Sequence, residues 1–344
     1  MLITSSHKYI RAWLATSLLF WASAIACASS ASDQPIKIIT NTWAPYINEA
    51  DAPQGSAASI VSLLATELGA GVEWQYIPYD LSFQLVKRNR AQLAFPFFKT
   101  SQRANEVIFS EPVFSATSHL YYNLQHMTQD QSGADLRDMT IGRVSGYSYG
   151  QTIDALLEGA KVFGSEHAAL QALFNHEIDL LPMTEGVMAH TLRTEFPERI
   201  QLIRKRPGVS DQSSLHLIAP KTEEGQQTIS AFNQALVDLR ALNIDSLNVE
   251  PVQLPKPLDL AQLITAEGYP AILGQSQINS GSGNYYTLPQ GTRVIVIEWS
   301  DRIINPSNTD RIYKNMMDLS RVVVLNGPHV GKELLVRNMH IELL

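Results

Sequence analysis

The sequence predicts an α/β chain of two successive strand-and-helix units, followed by a small β-rich domain. Three observations carry this. Residues 36–97 alternate short apolar strands with helical faces in a β-α-β-α-β rhythm, which implies a parallel sheet whose ligands lie at the carboxyl ends of its strands. A second strand, turn and helix follow at 139–157. After Pro251, Pro255 and Pro257 the pattern changes to short strands separated by Gly, Asn and Pro turns.

In order along the chain, Ile36–Thr40 is a β-branched strand that breaks at the polar and aromatic turn Asn41-Thr42-Trp43-Ala44-Pro45-Tyr46. Ile60, Val61, Leu63, Leu64 and Leu68 are spaced as one helical face, ended by Gly69 and Gly71. Val72–Ile77 alternates as a second strand. Leu81, Leu85 and Val86 suggest a helix closed by Lys87, Arg88 and Arg90, cations that suit a helix carboxyl end.

The stretch from Gln92 to Phe114 organises the rest. An apolar strand, Leu93–Phe97, runs into Lys99-Thr100, then a polar turn with Arg103, then Phe109-Ser110-Glu111-Pro112. A guanidinium just past a strand end presents a planar fork of donors suited to a carboxylate. Thr100 is placed to cap a helix start, a second device that favours anions.

His119–Tyr122 reads as extended. Met139–Val144 is a strand ending at Ser145-Gly146-Tyr147-Ser148-Tyr149-Gly150, ahead of a helical face of Ile153, Leu156 and Leu157. A glycine with hydroxyl side chains at such a turn offers backbone donors to an anion, or is a plain helix cap. Leu170–Phe174 is helical and Glu177–Pro182 extended. Leu215–Ala219 is a strand, and Ile229, Phe232, Leu236 and Leu239 mark a further helix. Leu258–Ala266 is expected as a short helix, with strands at 271–273, 285–288, 293–299, 321–325 and 333–336.

Composition bounds the function. The chain has 344 residues, 45% of them hydrophobic and 17% charged, with a formal charge of −7. That describes a globular protein without the basic field that nucleic acid requires. The single cysteine, Cys27, lies in an N-terminal stretch with Lys8, Arg11 and an apolar run from Ala12 to Ala26. This reads as a secretion leader, with cleavage after Ala28 or Ser32, or lipidation at Cys27. The mature chain is then expected to lack disulfides and thiolate metal sites. No P-loop, zincin or nucleophile-elbow motif is present, and His167 and His176 lie nine apart, not at ligand spacing. No cofactor or metal is expected.

Thr100, Arg103, Phe109, Ser110 and Pro112 match the T-x-x-R … F-S-x-P signature of the periplasmic solute-binding proteins of the amino-acid type (family 3), and the chain resembles that family over roughly residues 35–250. The resemblance implies a two-lobed α/β periplasmic-binding fold. Its expected divisions are a signal peptide at 1–32, a first lobe at 33–120 and 216–250, a second lobe at 121–215, a linker at 251–267 and a small β domain at 268–344. The segment RVVVLNGPHVGKELLV in that last domain is similar to the closing hairpin of bacterial SH3-like barrels, with Leu335 replacing the usual tryptophan.

The resemblance also implies roles. Arg103, helped by Thr100, would grip a ligand carboxylate, and the loop Gly146, Tyr147, Ser148 would add donors from the second lobe. Trp43, Tyr46 and Phe98 would pack on the ligand's apolar part. The position that holds the ligand's amine in the family falls on Thr184, with Glu185 adjacent as a substitute or as a solvated helix-start carboxylate. Two departures, Gly55-Ser56-Ala57-Ala58-Ser59-Ile60 in place of G-F-x-x-D-L and Pro96 and Phe98 near the family's serines, point to a more apolar pocket. The implied function is periplasmic binding of a small carboxylate-bearing solute by hinge closure, for ABC-type uptake or sensing, with a membrane permease or receptor as partner and a monomeric chain. The alternatives are an envelope signalling or interaction protein acting through the β domain, and a dehydratase-like enzyme of the same fold with Glu185 as its acid or base; catalysis is not the expected reading.

Overall fold

The computed structural model of the chain describes residues 34–49, 55–127, 136–241, 253–276, 284–300 and 316–344. The expected leader, with Cys27, lies outside the described residues. The first unit consists of β1 (Ile36–Thr40), α1 (Ser56–Glu67), β2 (Val72–Tyr76), α2 (Tyr79–Lys87) and β3 (Leu93–Phe98). The three strands are parallel in the order β2-β1-β3, with Ile36 opposite Val72 and Ile38 opposite Leu93. All six residues of β3 are buried, because helices cover both faces of a parallel sheet. Each such side chain, Leu93 or Phe95 for example, contributes roughly 1.5–3 kcal/mol through burial.

Next come α3 (Ser101–Ala104), β4 (Ile108–Phe109) and β5 (Phe114–Asn123). The second unit holds β6 (Gly142–Val144), α4 (Gln151–Asp154), β7 (Lys161–Phe163), α5 (Glu166–Phe174), β8 (Leu181–Thr184) and α6 (Glu185–Glu195). The chain returns along β9 (Ile203–Ala219) into α7 (Glu223–Ala241).

The 17-residue strand β9 joins the two units. One end pairs with β3, from Ala94 opposite Ile218 to Phe98 opposite Leu215. Along its length β9 pairs with β5, from Phe114 opposite Leu215 to Asn123 opposite Ile203, and β8 pairs with the far edge of β5. Thus β5 and β9 are two antiparallel strands running from one lobe into the other, and the extended segments read at His119–Tyr122 and Leu215–Ala219 lie on them. The apolar spacing of α7 places Ile229, Phe232, Leu236 and Leu239 in the core it shares with α1 and β1.

The C-terminal part forms its own sheet from β10 (Asp259–Leu263), β11 (Ile272–Gln275), β12 (Tyr285–Leu288), β13 (Arg293–Glu298), β14 (Leu319–Val324), β15 (Glu333–Arg337) and β16 (Ile341–Leu343). Its order is β12-β11-β15-β14-β13-β10-β16, with every ladder antiparallel. One expectation is corrected here. Leu258–Ala266 is not a helix; Asp259–Leu263 is a strand between β13 and β16. Its inward residues Ala261 and Leu263 are two apart, a period its few apolar residues left indistinguishable from a helical one. The expected linker 251–267 therefore contains β10, and the sheet begins at Asp259 instead of residue 268.

This sheet is docked on the second lobe. Ile295 and Leu325 share one buried cluster with Leu120, Tyr122, Leu124 and Leu202, with Leu258 and Leu260 packed against it. Leu258 N–H donates to Gln201 Oε1 at 3.2 Å, and Arg193 Nη2 to the Gln253 carbonyl at 2.6 Å.

Candidate functional site

The carboxyl ends of β1 and β3 face the end of β6 across a cleft. After β1 the chain turns sharply, held by Trp43 N–H on the Ile47 carbonyl (2.8 Å) and Tyr46 N–H on the Trp43 carbonyl (3.0 Å). The turn stacks Trp43 on Tyr46 (4.7 Å between centroids) and sets it edge-on to Phe98 (6.5 Å). From the first lobe the cleft is lined by Asn41, Trp43, Tyr79, Pro96 and Phe98. From the second come Val144, Tyr147, Ser148, Tyr149, Glu166, Met183, Thr184 and Val187, and the hinge strand adds Leu215. In this closed arrangement the cavity is only about 30 Å³, room for one or two water-sized bodies.

Five of the sequence-predicted site residues line this cavity: Trp43, Phe98, Tyr147, Ser148 and Thr184. The other five do not line it, and Thr100 lines a neighbouring opening with Phe98, Ser148 and Gly150. Thr100 caps α3, accepting the Arg103 N–H at 3.2 Å. Arg103 is bound to backbone carbonyls, Nη1 to Phe98 O at 2.9 Å and Nη2 to Gly146 O at 3.0 Å, with its guanidinium 5.6–6.0 Å from the ring centres of Phe97, Tyr79 and Phe83. It thereby ties the first lobe to the second. Gly146, with φ +71°, lies close against Asp80, whose carboxylate accepts the Ser145 hydroxyl at 3.0 Å. A Cβ at Gly146 would stand 1.5 Å from Asp80 Oδ1, so only glycine allows this approach.

Tyr46 reaches back to Gly186 at the start of α6. Burial, with the Glu185 carboxylate adding, pushes its phenol up to about 12. Glu185 is also turned away from the cavity. Lys205 Nζ reaches its Oε1 at 2.6 Å and His119 Nε2 its Oε2 at 3.3 Å, behind the hinge.

Neighbouring side chains hold the Ser145–Gly150 loop in place. Asp154 accepts both the Ser148 hydroxyl and the Tyr149 N–H (2.8 Å), and Tyr149 Oη accepts the Val144 N–H at 2.9 Å. Tyr147 projects into the cleft, edge-on to Tyr79 (5.1 Å). Its hydroxyl donates to Glu166 Oε1 at 2.9 Å and accepts from Asn41 Nδ2 at 3.5 Å. Burial, and next the Glu166 carboxylate, raise the Tyr147 phenol. Burial likewise raises the Glu166 carboxyl above its usual range, opposed by its own N–H and the Tyr147 hydroxyl.

Sequence reasoning missed Asn41, Tyr79, Tyr149 and Glu166 as site residues. Glu166 is the first residue of α5, after the cap Ser165, whose Oγ accepts the Ala168 N–H. In sequence that is an ordinary helix start. Among the described residues, no group of three or more His, Cys, Asp or Glu is placed to hold a metal, and no helix is long and apolar enough to cross a membrane.

The sequence profile of the bacterial extracellular solute-binding proteins, family 3, matches residues 36–246. Among solved structures, a histidine kinase sensor domain with similarity to periplasmic binding proteins superposes with a TM-score of 0.54 at 15% identity, covering 65% of this chain and 99% of that one. The arginine-, lysine-, histidine-binding protein ArtJ of Geobacillus stearothermophilus gives 0.51 at 17% identity, covering 65% and 97%. The amino acid ABC transporter substrate-binding protein AbpA of Streptococcus pneumoniae gives 0.50 at 17% identity, covering 63% and 92%. Likeness at these identities shows the fold alone. Comparison with curated protein sequences gives no match.

Proposed function

Because the chain belongs to the bacterial extracellular solute-binding proteins, family 3, we propose that it binds a small solute between its lobes in the periplasm and holds it by hinge closure, for uptake through a membrane permease or for sensing. The observation that carries this reading is the cleft itself. It is aromatic-lined, contributed by both lobes, and bridged by Arg103 on Gly146 O and Ser145 on Asp80. A solute touching both lobes favours the closed state by its differential affinity.

The finer expectation, a ligand carboxylate on Arg103, needs the guanidinium to leave two carbonyls. We assign Arg103 instead to the latch that holds the lobes shut. Removing it takes two charge-assisted bonds from the closed state, on the order of 2–4 kcal/mol, and solute affinity falls with the population of closed molecules. The test is a thermal-shift and calorimetric screen of amino acids, amines, organic acids and short peptides, repeated on Arg103→Ala. Hits that weaken in the variant, with the lobes splayed in small-angle scattering, support the reading. A flat screen, or a hit whose affinity ignores Arg103, counts against it.

A second reading is favoured by one observation: Ile295 and Leu325 of the C-terminal sheet are buried in the core of the second lobe. The sheet therefore moves with that lobe, and a partner bound to the sheet, SH3-like or not, would sense closure. Loss of partner capture without residues 259–344 supports it. Catalysis is the weakest reading, since Glu185, its one nominated acid, lies outside the cleft on Lys205 and His119.

A further inference from the structure

The charge inside the cleft says what class of solute suits it, an inference that rests on the solute-binding reading above. Of the residues lining the cavity, the one acid or base with a formal charge is Glu166. Its carboxylate accepts a neutral hydroxyl, from Tyr147 at 2.9 Å, and among the described residues it forms no ion pair. Arg143, the cation that donates to Tyr147 O at 3.4 Å, does not line the cavity. The nearest candidate counter-ion by motif, Arg103, is bound to Phe98 O and Gly146 O and does not line the cavity. The same cavity is lined by the rings of Trp43, Tyr79, Phe98 and Tyr149.

An anionic solute here would meet a carboxylate and no cation among the lining residues. A neutral solute would leave the carboxylate with its hydroxyl partner. A protonated amine would supply the missing positive charge, donate N–H bonds where Tyr147 donates its O–H, and lie against π faces that attract cations. We propose that the solute is an organic ammonium ion, a primary or secondary amine on an apolar body. Its nitrogen displaces the Tyr147 hydroxyl from Glu166, and its carbon skeleton packs against the cavity faces of Trp43 and Phe98 once the lobes have parted. No carboxylate on the solute is required.

The experiment uses three matched sets, propyl, isobutyl and phenethyl, each as amine, alcohol and carboxylate, titrated by calorimetry against the full mature chain beside a library of natural solutes. The amine is expected to bind about tenfold or more tightly than its carboxylate partner in at least one set. Glu166→Gln should remove that preference and leave the alcohol unaffected. Tyr147→Phe, which removes the competing donor, should strengthen the amine. Melting curves of both variants show that they fold.

A carboxylate or alcohol that binds as tightly as its amine overturns the ammonium assignment and keeps the solute-binding reading. So does a library hit without a cationic nitrogen. Amine binding unchanged in Glu166→Gln removes Glu166 from the site. No response from all nine probes and the library overturns the solute-binding reading itself.

Discussion

Glu166 and Glu185 are each the first residue of a second-lobe helix, α5 and α6, and one local rule explains both: an acid in the first turn meets the positive end of the helix. Their surroundings differ in every other respect. Glu166 lines the cleft, is partly buried, and has a neutral hydroxyl for company. Glu185 looks behind the hinge and is held by Lys205 and His119. Removing a carboxylate that is paired with a lysine strands the buried charge of its partner and costs stability, whereas a partly buried carboxylate with no ion partner is the kind found at functional sites. Charge at equivalent helix positions is thus structural on one side of the hinge and available on the other.

The comparison depends on the lobes being shut, and the largest expected effect comes from preventing that. Gly146→Ala places a Cβ into the Asp80 carboxylate at a backbone φ of +71°. The combined clash and left-handed strain cost the closed state on the order of 2–3 kcal/mol. Small-angle scattering should show a larger radius of gyration with secondary structure unchanged. A variant as compact as the parent would mean that the Gly146–Asp80 approach does not control closure.

A smaller effect separates the two carboxylates directly. Glu185→Gln leaves Lys205 and His119 facing a neutral amide, and melting experiments should show a loss on the order of 1–2 kcal/mol, limited because Lys205 is partly solvated. Glu166→Gln removes a charge that burial disfavours and keeps an acceptor for Tyr147, so the melting temperature should hold or rise. Equal losses in both variants would erase the distinction between a structural and an available carboxylate.

How far this was legible in the sequence follows from the kinds of atoms involved. The β-α-β-α-β rhythm showed because periodic apolar residues make both strand and helix. Thr100 and Arg103 showed because side-chain motifs are written in residue types. The partners of Arg103 did not show, because Phe98 O and Gly146 O are backbone atoms that any residue would supply, the second 43 residues away. Glu166 was hidden by being an unremarkable helix-start acid, distinguished only by the aromatic cavity that the fold makes it line. Whether Glu185 faced the cleft or solvent was open in sequence, and it does neither, since a β-strand partner 20 residues on brings Lys205 beneath it. The strand Asp259–Leu263 was misread because five residues with two inward positions do not distinguish periods of 2 and 3.6.

The smallest expected effect is a pH slope that belongs to the rear of the hinge. His119 has its pKa lowered, first by burial and then by the Lys205 charge, with Glu185 opposing. A histidine whose folded pKa is depressed binds fewer protons folded than unfolded once pH falls past the ordinary value of about 6.5. Its contribution to stability is therefore present above that pH and is lost as pH falls toward the folded pKa. His216, held on the Ser110 carbonyl at 2.7 Å and shifted the same way by burial, adds to the slope. His119→Gln should flatten, without abolishing, the fall in melting temperature between about pH 7 and pH 5. An unchanged slope in that variant would place the acid sensitivity elsewhere, with Glu166 excluded by sign: its raised pKa makes the folded state gain stability, relative to the unfolded chain, as pH falls.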